Sequence, residues 1–151
     1  MTTPAHAGRS LYVALPVADI ERSKAFFAGL GFGFDPGMTG ETSAGVLVGE
    51  HAFVMLLDHA TFTQYAHLPM GDPRTHTQGL YTIGVATRDE VDTVTEAALT
   101  AGATVADGPE DHGFMYSRSF FDLDGHPWQI LWLDPTAAQP GAAEPASATA
   151  R

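Results

Sequence analysis

The chain has 151 residues, 44% of them hydrophobic, no cysteine, and a formal net charge of −11 from seven Lys+Arg against 18 Asp+Glu. This is the length and composition of one globular domain, and it excludes disulfides, thiolate metal sites and a Cys nucleophile, with a cytoplasmic location as the default. The acidic balance disfavours nucleic acid and anionic membrane as partners, no apolar run is long enough to span a bilayer, and MTTPAHAGRS lacks the apolar core of a secretion signal.

After a flexible N-terminus over residues 1–8, LYVALPV starts a strand in which Leu11, Val13, Leu15 and Val17 recur at period two. Asp19 then suits a helix N-cap, Ile20, Phe26, Phe27 and Leu30 form an apolar stripe, and Gly31 stops the helix. Strands follow at 32–35, 44–48 and 53–58, with GMTGETSAG as a flexible connection. Residues 59–78 form a link in which HATFTQYA is helical and PMGDPRTHTQG is a loop of turn formers.

The plan then repeats. Tyr81, Ile83 and Val85 alternate, Thr87 or Asp89 caps a helix with a Val91, Val94, Ala98 and Leu99 stripe, and Gly102 ends it. Strands follow at 104–107, 114–121 and 127–133, and Leu15 lies 68 residues before Ile83, so the chain holds two copies of one βαβββ unit. Module one spans 9–58 and module two 79–134; the Ala/Pro-rich residues 135–151 form a disordered tail. The expected fold is α+β: two βαβββ modules form a cupped mixed sheet around a trough, with helices on the outer face. The stripe of Leu15, Val17, Ile83 and Val85 must bury under the helices, which sends Tyr12, Leu80 and Thr82 inward. On the last strand the bulky Trp128 and Trp132 suit the helix layer, which places Gln129 in the trough.

LPVADIERSKAFFAGLGF (15–32) and the hairpin FFDLDGHPWQILWL (120–133) together resemble the vicinal oxygen chelate superfamily of glyoxalases, bleomycin-resistance proteins and extradiol dioxygenases. FVMLLDH (53–59) with DHGFMYSRSF (111–120) is similar to a subgroup labelled predicted lactoylglutathione lyase. The resemblance implies a homodimer and a small-molecule ligand or substrate. It also implies four metal-ligand positions, one on each of four trough strands, which fall here on Tyr12, Leu56, Leu80 and Gln129. None is His, Asp or Glu: leucine cannot coordinate, a neutral amide is a poor ligand for Zn, Ni or Fe, and tyrosine coordinates only when deprotonated. No metal or other cofactor is therefore expected.

Three functions follow from the resemblance: a metal-dependent lyase, isomerase or dioxygenase; a metal-free sequestering protein of the antibiotic-resistance type; and a metal-free enzyme. The donor chemistry favours a glyoxalase-like small-molecule pocket without a transition metal, and leaves catalysis open. The candidate ligand pocket comprises Tyr12, Thr82, Gln129, His112, Tyr116, Arg118 and Asp58. Arg118, mid-strand between two serines, serves either as an anion clamp or in a salt bridge, with Tyr116 on the same strand face. Asp58 is a proton-transfer candidate whose simpler role is to cap the link helix. His51, His59 and His67 recur every eight residues but belong to exposed turns and the link, and His126 is expected to face solvent or cap its hairpin. Phe53, Phe114, Phe120, Phe121, Trp128 and Trp132 are expected mostly in the core.

Overall fold

The computed structural model describes residues 8–137. Strand β1 (Leu11–Val17) leads into helix α1 (Ile20–Gly29), strand β2 (Gly33–Asp35), a 3-10 turn (Pro36–Met38), and strands β3 (Ser43–Gly49) and β4 (Ala52–Asp58). Helix α2 (His59–Tyr65) opens the link; then come β5 (Tyr81–Gly84), α3 (Arg88–Thr100), β6 (Thr104–Asp111), β7 (Met115–Phe121) and β8 (Pro127–Leu133). The strands form two four-stranded mixed sheets, β1-β4-β3-β2 and β5-β8-β7-β6. Each module builds its sheet in the same order, with its first strand parallel to its last. The fold is α+β with two βαβββ modules, and the sheets remain open rather than joining into one.

The two main helices start and stop for the same reasons. Asp19 accepts the Arg22 N–H at 3.0 Å and Thr87 accepts the Glu90 N–H at 3.1 Å, so each first turn has a side-chain cap. Gly31 (φ +99°) and Gly102 (φ +112°) take the left-handed conformation that ends each helix. Their inner faces share one core: Phe26 and Phe27 of α1, with Val91, Val94 and Ala98 of α3, pack with Leu15, Leu56, Phe120 and Ile130. Phe27 meets Trp128 edge-on at 5.5 Å, so the module-one helix touches the module-two sheet.

Two expectations change. β6 extends to Asp111 rather than stopping near 107, because register shifts at Val105/Asp107 and Asp107/Glu110 absorb Gly108 and Pro109 on a fully exposed edge strand. Phe114 is 42% exposed rather than in the core, because it stands just before β7. The residues assigned to the flexible N-terminus and the disordered tail lie outside the described residues, apart from Gly8 and 135–137. No helix among the described residues is long and apolar enough to cross a membrane.

Thr95, 1% exposed on α3, carries the single buried side-chain polar atom that lacks a hydrogen-bond partner among the described residues. Thr95→Val replaces that hydroxyl with a methyl, and is expected to raise unfolding free energy by about 1 kcal/mol. An upward shift of the urea midpoint at unchanged slope is the check.

Candidate functional site

Strand register settles which residues face away from the helices. In module two, Ile130 is fully buried opposite Ile83, so the next residue back, Gln129, points to the other side beside Thr82 and Ser119. The Thr82 hydroxyl donates to Gln129 Oε1 at 3.1 Å, and Gln129 Nε2 donates to the Ser117 hydroxyl at 3.3 Å. These two bonds answer why an amide stands among apolar neighbours, and they leave it one N–H and one acceptor lone pair to spare.

Gln129 stands at the border of two hollows. One, about 290 Å³, has apolar walls from Leu80, Phe121 and Trp128; the other, about 320 Å³, is polar, with Asp107, Glu110, Ser117 and Ser119. Ser117 and Ser119 were missed in the sequence as partners of Gln129. Their spacing on either side of Arg118 is the available signal, since alternate residues share a face.

The equivalent positions in module one follow from the repeat. Leu15 pairs with Leu56 as Ile83 pairs with Ile130, so Ala14 and Met55 correspond to Thr82 and Gln129. Leu56 is therefore not an inward residue. It is 0% exposed under the helices, one residue out of phase with the position assigned from the resemblance, which Met55 fills. Tyr12 does lie on the side away from the helices, stacked on Phe53 with ring centroids 4.8 Å apart. Leu80 precedes β5 rather than lying on it, 79% exposed beside the Gln129 hollow.

A phenol, a thioether, an alkyl chain and a neutral amide do not fit a divalent Zn, Ni, Mn or Fe ion, which proteins hold with imidazole, carboxylate or thiolate donors. Among the described residues no group of three or more His, Cys, Asp or Glu side chains could hold a metal.

Of the other candidates, Tyr116, Asp58 and His112 sit outside the two hollows, and Arg118 only borders the polar one. Arg118 faces α3, donating to Asp92 at 3.1 Å and pairing with Glu96 at 2.7 Å. The Tyr116 hydroxyl donates to the same Asp92 carboxylate at 2.7 Å, so both side chains fasten helix to sheet, and Arg118 also borders the polar hollow. The Tyr116 and Arg118 hydrogen bonds hold the Asp92 carboxyl below its usual pKa. Asp58 caps α2 by accepting the Thr61 N–H at 2.8 Å, and hydrogen bonds from the Thr61 side chain and backbone lower its pKa. His112 lies at the exposed β6–β7 turn, 3.0 Å from Glu110.

His126 corrects its expectation most. It is 5% exposed, and its Nε2 donates to the Pro16 carbonyl at 2.7 Å across the module boundary. Nearby, Asp124 accepts the Ala18 N–H at 2.8 Å. The turn is held by buried Asp122, which accepts the N–H groups of Asp124 and His126 and the Trp128 indole N–H, each at 2.9 Å. Burial pushes the Asp122 carboxyl pKa up against the opposing pull of His126 and these donors. The DLDGH turn thus holds β8 and Gln129 in place and clasps module one.

Residues 9–49 match the family described as bleomycin resistance protein-like N-terminal. A hypothetical protein, SA1046 from S. aureus, has a similar structure at 27% identity and TM-score 0.70, over 82% of this chain and 92% of that one. A glyoxalase/bleomycin resistance protein/dioxygenase family enzyme from Burkholderia phytofirmans PsJN aligns at 20% identity and TM-score 0.66, over 81% and 96%. The fold is that of the vicinal oxygen chelate superfamily. Another structure with this vicinal oxygen chelate fold, the fosfomycin resistance protein FosX from Listeria monocytogenes, aligns at 14% identity and TM-score 0.59, over 84% and 94%. No curated protein matches the chain. These matches support the superfamily and do not extend to a lactoylglutathione lyase subgroup.

Proposed function

We propose that this vicinal oxygen chelate protein binds a small organic molecule in the hollow at Gln129, without a metal at the inward positions, and acts as a cytoplasmic homodimer. The carrying observation is the donor set. Where relatives with this fold place imidazoles and carboxylates, this chain presents Tyr12, Met55, Leu80 and Gln129. Gln129, oriented by Thr82 and Ser117, offers a spare donor and acceptor between an apolar and a polar hollow. That pairing suits a ligand with a planar apolar body and an amide- or carbonyl-type edge. The polar side carries Asp107, Glu110 and an Arg118 already paired with Asp92 and Glu96, a balance that favours a neutral or cationic ligand over an anion.

A second copy is supported by apolar side chains left open on the same side: Tyr12 is 55% exposed and Leu133 46%. Of the original candidates, the reading keeps Thr82 and Gln129 as ligand contacts and assigns Tyr12 to the face offered to the second copy.

A thermal-shift screen of aromatic antibiotics and 2-oxo compounds tests this reading. The best hit should bind about fivefold to tenfold more weakly to Gln129→Leu, the equivalent of one to two neutral hydrogen bonds. Equal affinity for both proteins would remove Gln129 from the site, and steady consumption of the hit would make the protein an enzyme.

A further inference from the structure

A third cavity, of about 420 Å³, lies where α1, the link and module two meet, and its walls include Arg22, Arg74, Thr104 and Gly125. With seven Lys+Arg facing 18 Asp+Glu, every cation has carboxylates to choose from. Lys24 pairs with Glu21, Arg88 with Asp111, and Arg118 with Asp92 and Glu96. Among the described residues Arg9, Arg22 and Arg74 form no ion pair, and the last two line this one cavity.

Arg74 is held there by its backbone and its side chain. Asp72 accepts its N–H at 2.9 Å, and Arg74 Nη2 donates to the Leu123 carbonyl at 2.6 Å. Gly125 (φ +97°) lets it approach: a Cβ there would lie 3.2 Å from the Arg74 N and Cα. One of five guanidinium N–H donors is thereby used and the rest remain available. Asp122 is the one carboxylate on the cavity wall, and both its oxygens are engaged by Asp124, His126 and Trp128. It forms no ion pair with either arginine, and three of its roughly four acceptor sites are already filled.

We propose that this cavity is an oxyanion site, in which Arg22 and Arg74, with the Thr104 hydroxyl, take a phosphate or carboxylate group. Guanidinium forks match both anions in geometry and charge. Because Arg22 belongs to module one, Arg74 to the link and Thr104 to module two, the bound anion joins all three. The site is separate from the Gln129 hollow and stands or falls independently of it.

The test is a backbone-amide NMR titration of the full chain with inorganic phosphate, and in parallel with acetate, each at ionic strength balanced by sodium chloride. Saturable shifts are expected at Arg22, Arg74, Gly102, Thr104 and Gly125, with a Kd on the order of 1 mM, while Gln129 stays still. Tighter phosphate binding assigns a phosphate-bearing ligand, and tighter acetate binding a carboxylate. Arg22 is exposed on α1, so Arg22→Gln should keep its melting point in chloride yet bind at least about fivefold more weakly. Non-saturating shifts, or equal titration curves for the variant, would overturn the site.

Discussion

Asp122→Ala is expected to cost about 3–5 kcal/mol of stability, because it strands three buried donors at once. The Asp124 and His126 amides and the Trp128 indole all point at that carboxylate, and Asp122 itself is 7% exposed, so water has little access to replace it. The same turn carries the Asp124 and His126 contacts to Ala18 and Pro16, so its loosening also opens the module boundary. Asp122→Asn retains one acceptor oxygen and should lose distinctly less. Urea unfolding followed by Trp fluorescence measures both. A loss under about 1 kcal/mol for the alanine variant would mean that the turn re-pairs its donors without the carboxylate.

Phe27→Ala is expected to cost a similar amount, about 3–5 kcal/mol. Phe27 is 3% exposed and meets Phe26, Phe32 and Trp128 at ring centroid distances of 5.0, 6.3 and 5.5 Å. Truncation leaves a cavity between modules whose rigid sheet walls cannot collapse to fill it. Because the modules share one core, unfolding monitored by far-UV dichroism and by Trp fluorescence should remain a single coincident transition. Two separated transitions would show instead that each module is stable alone.

Much of the architecture was legible because local chemistry and long-range burial agree. Asp19 and Thr87 cap helices, Gly31 and Gly102 end them, and period-two apolar residues bury under the helices. The inward direction of Gln129 followed from the bulk of Trp128, which is 3% exposed in the core.

Where the pattern lost contrast, the reading slipped. FVMLL is apolar on both faces, so alternation could not distinguish Leu56 from Met55, and only strand register does. For Arg118 the salt-bridge alternative holds, with its partners Asp92 and Glu96 on a helix more than twenty residues away. The i,i+4 spacing of those two acids matches the shared face of Tyr116 and Arg118 and was the clue to find. His126 and the Arg22–Arg74 cavity depend on how the modules and link meet, which no local pattern encodes.

Elemental analysis of untagged protein, after incubation with Zn, Ni, Mn and Fe salts and desalting, tests the central claim most directly. Inward positions that carry a neutral amide, a phenol, a thioether and an alkyl chain should retain well under one metal ion per chain. One ion per chain, lost on Gln129→Leu, would contradict it.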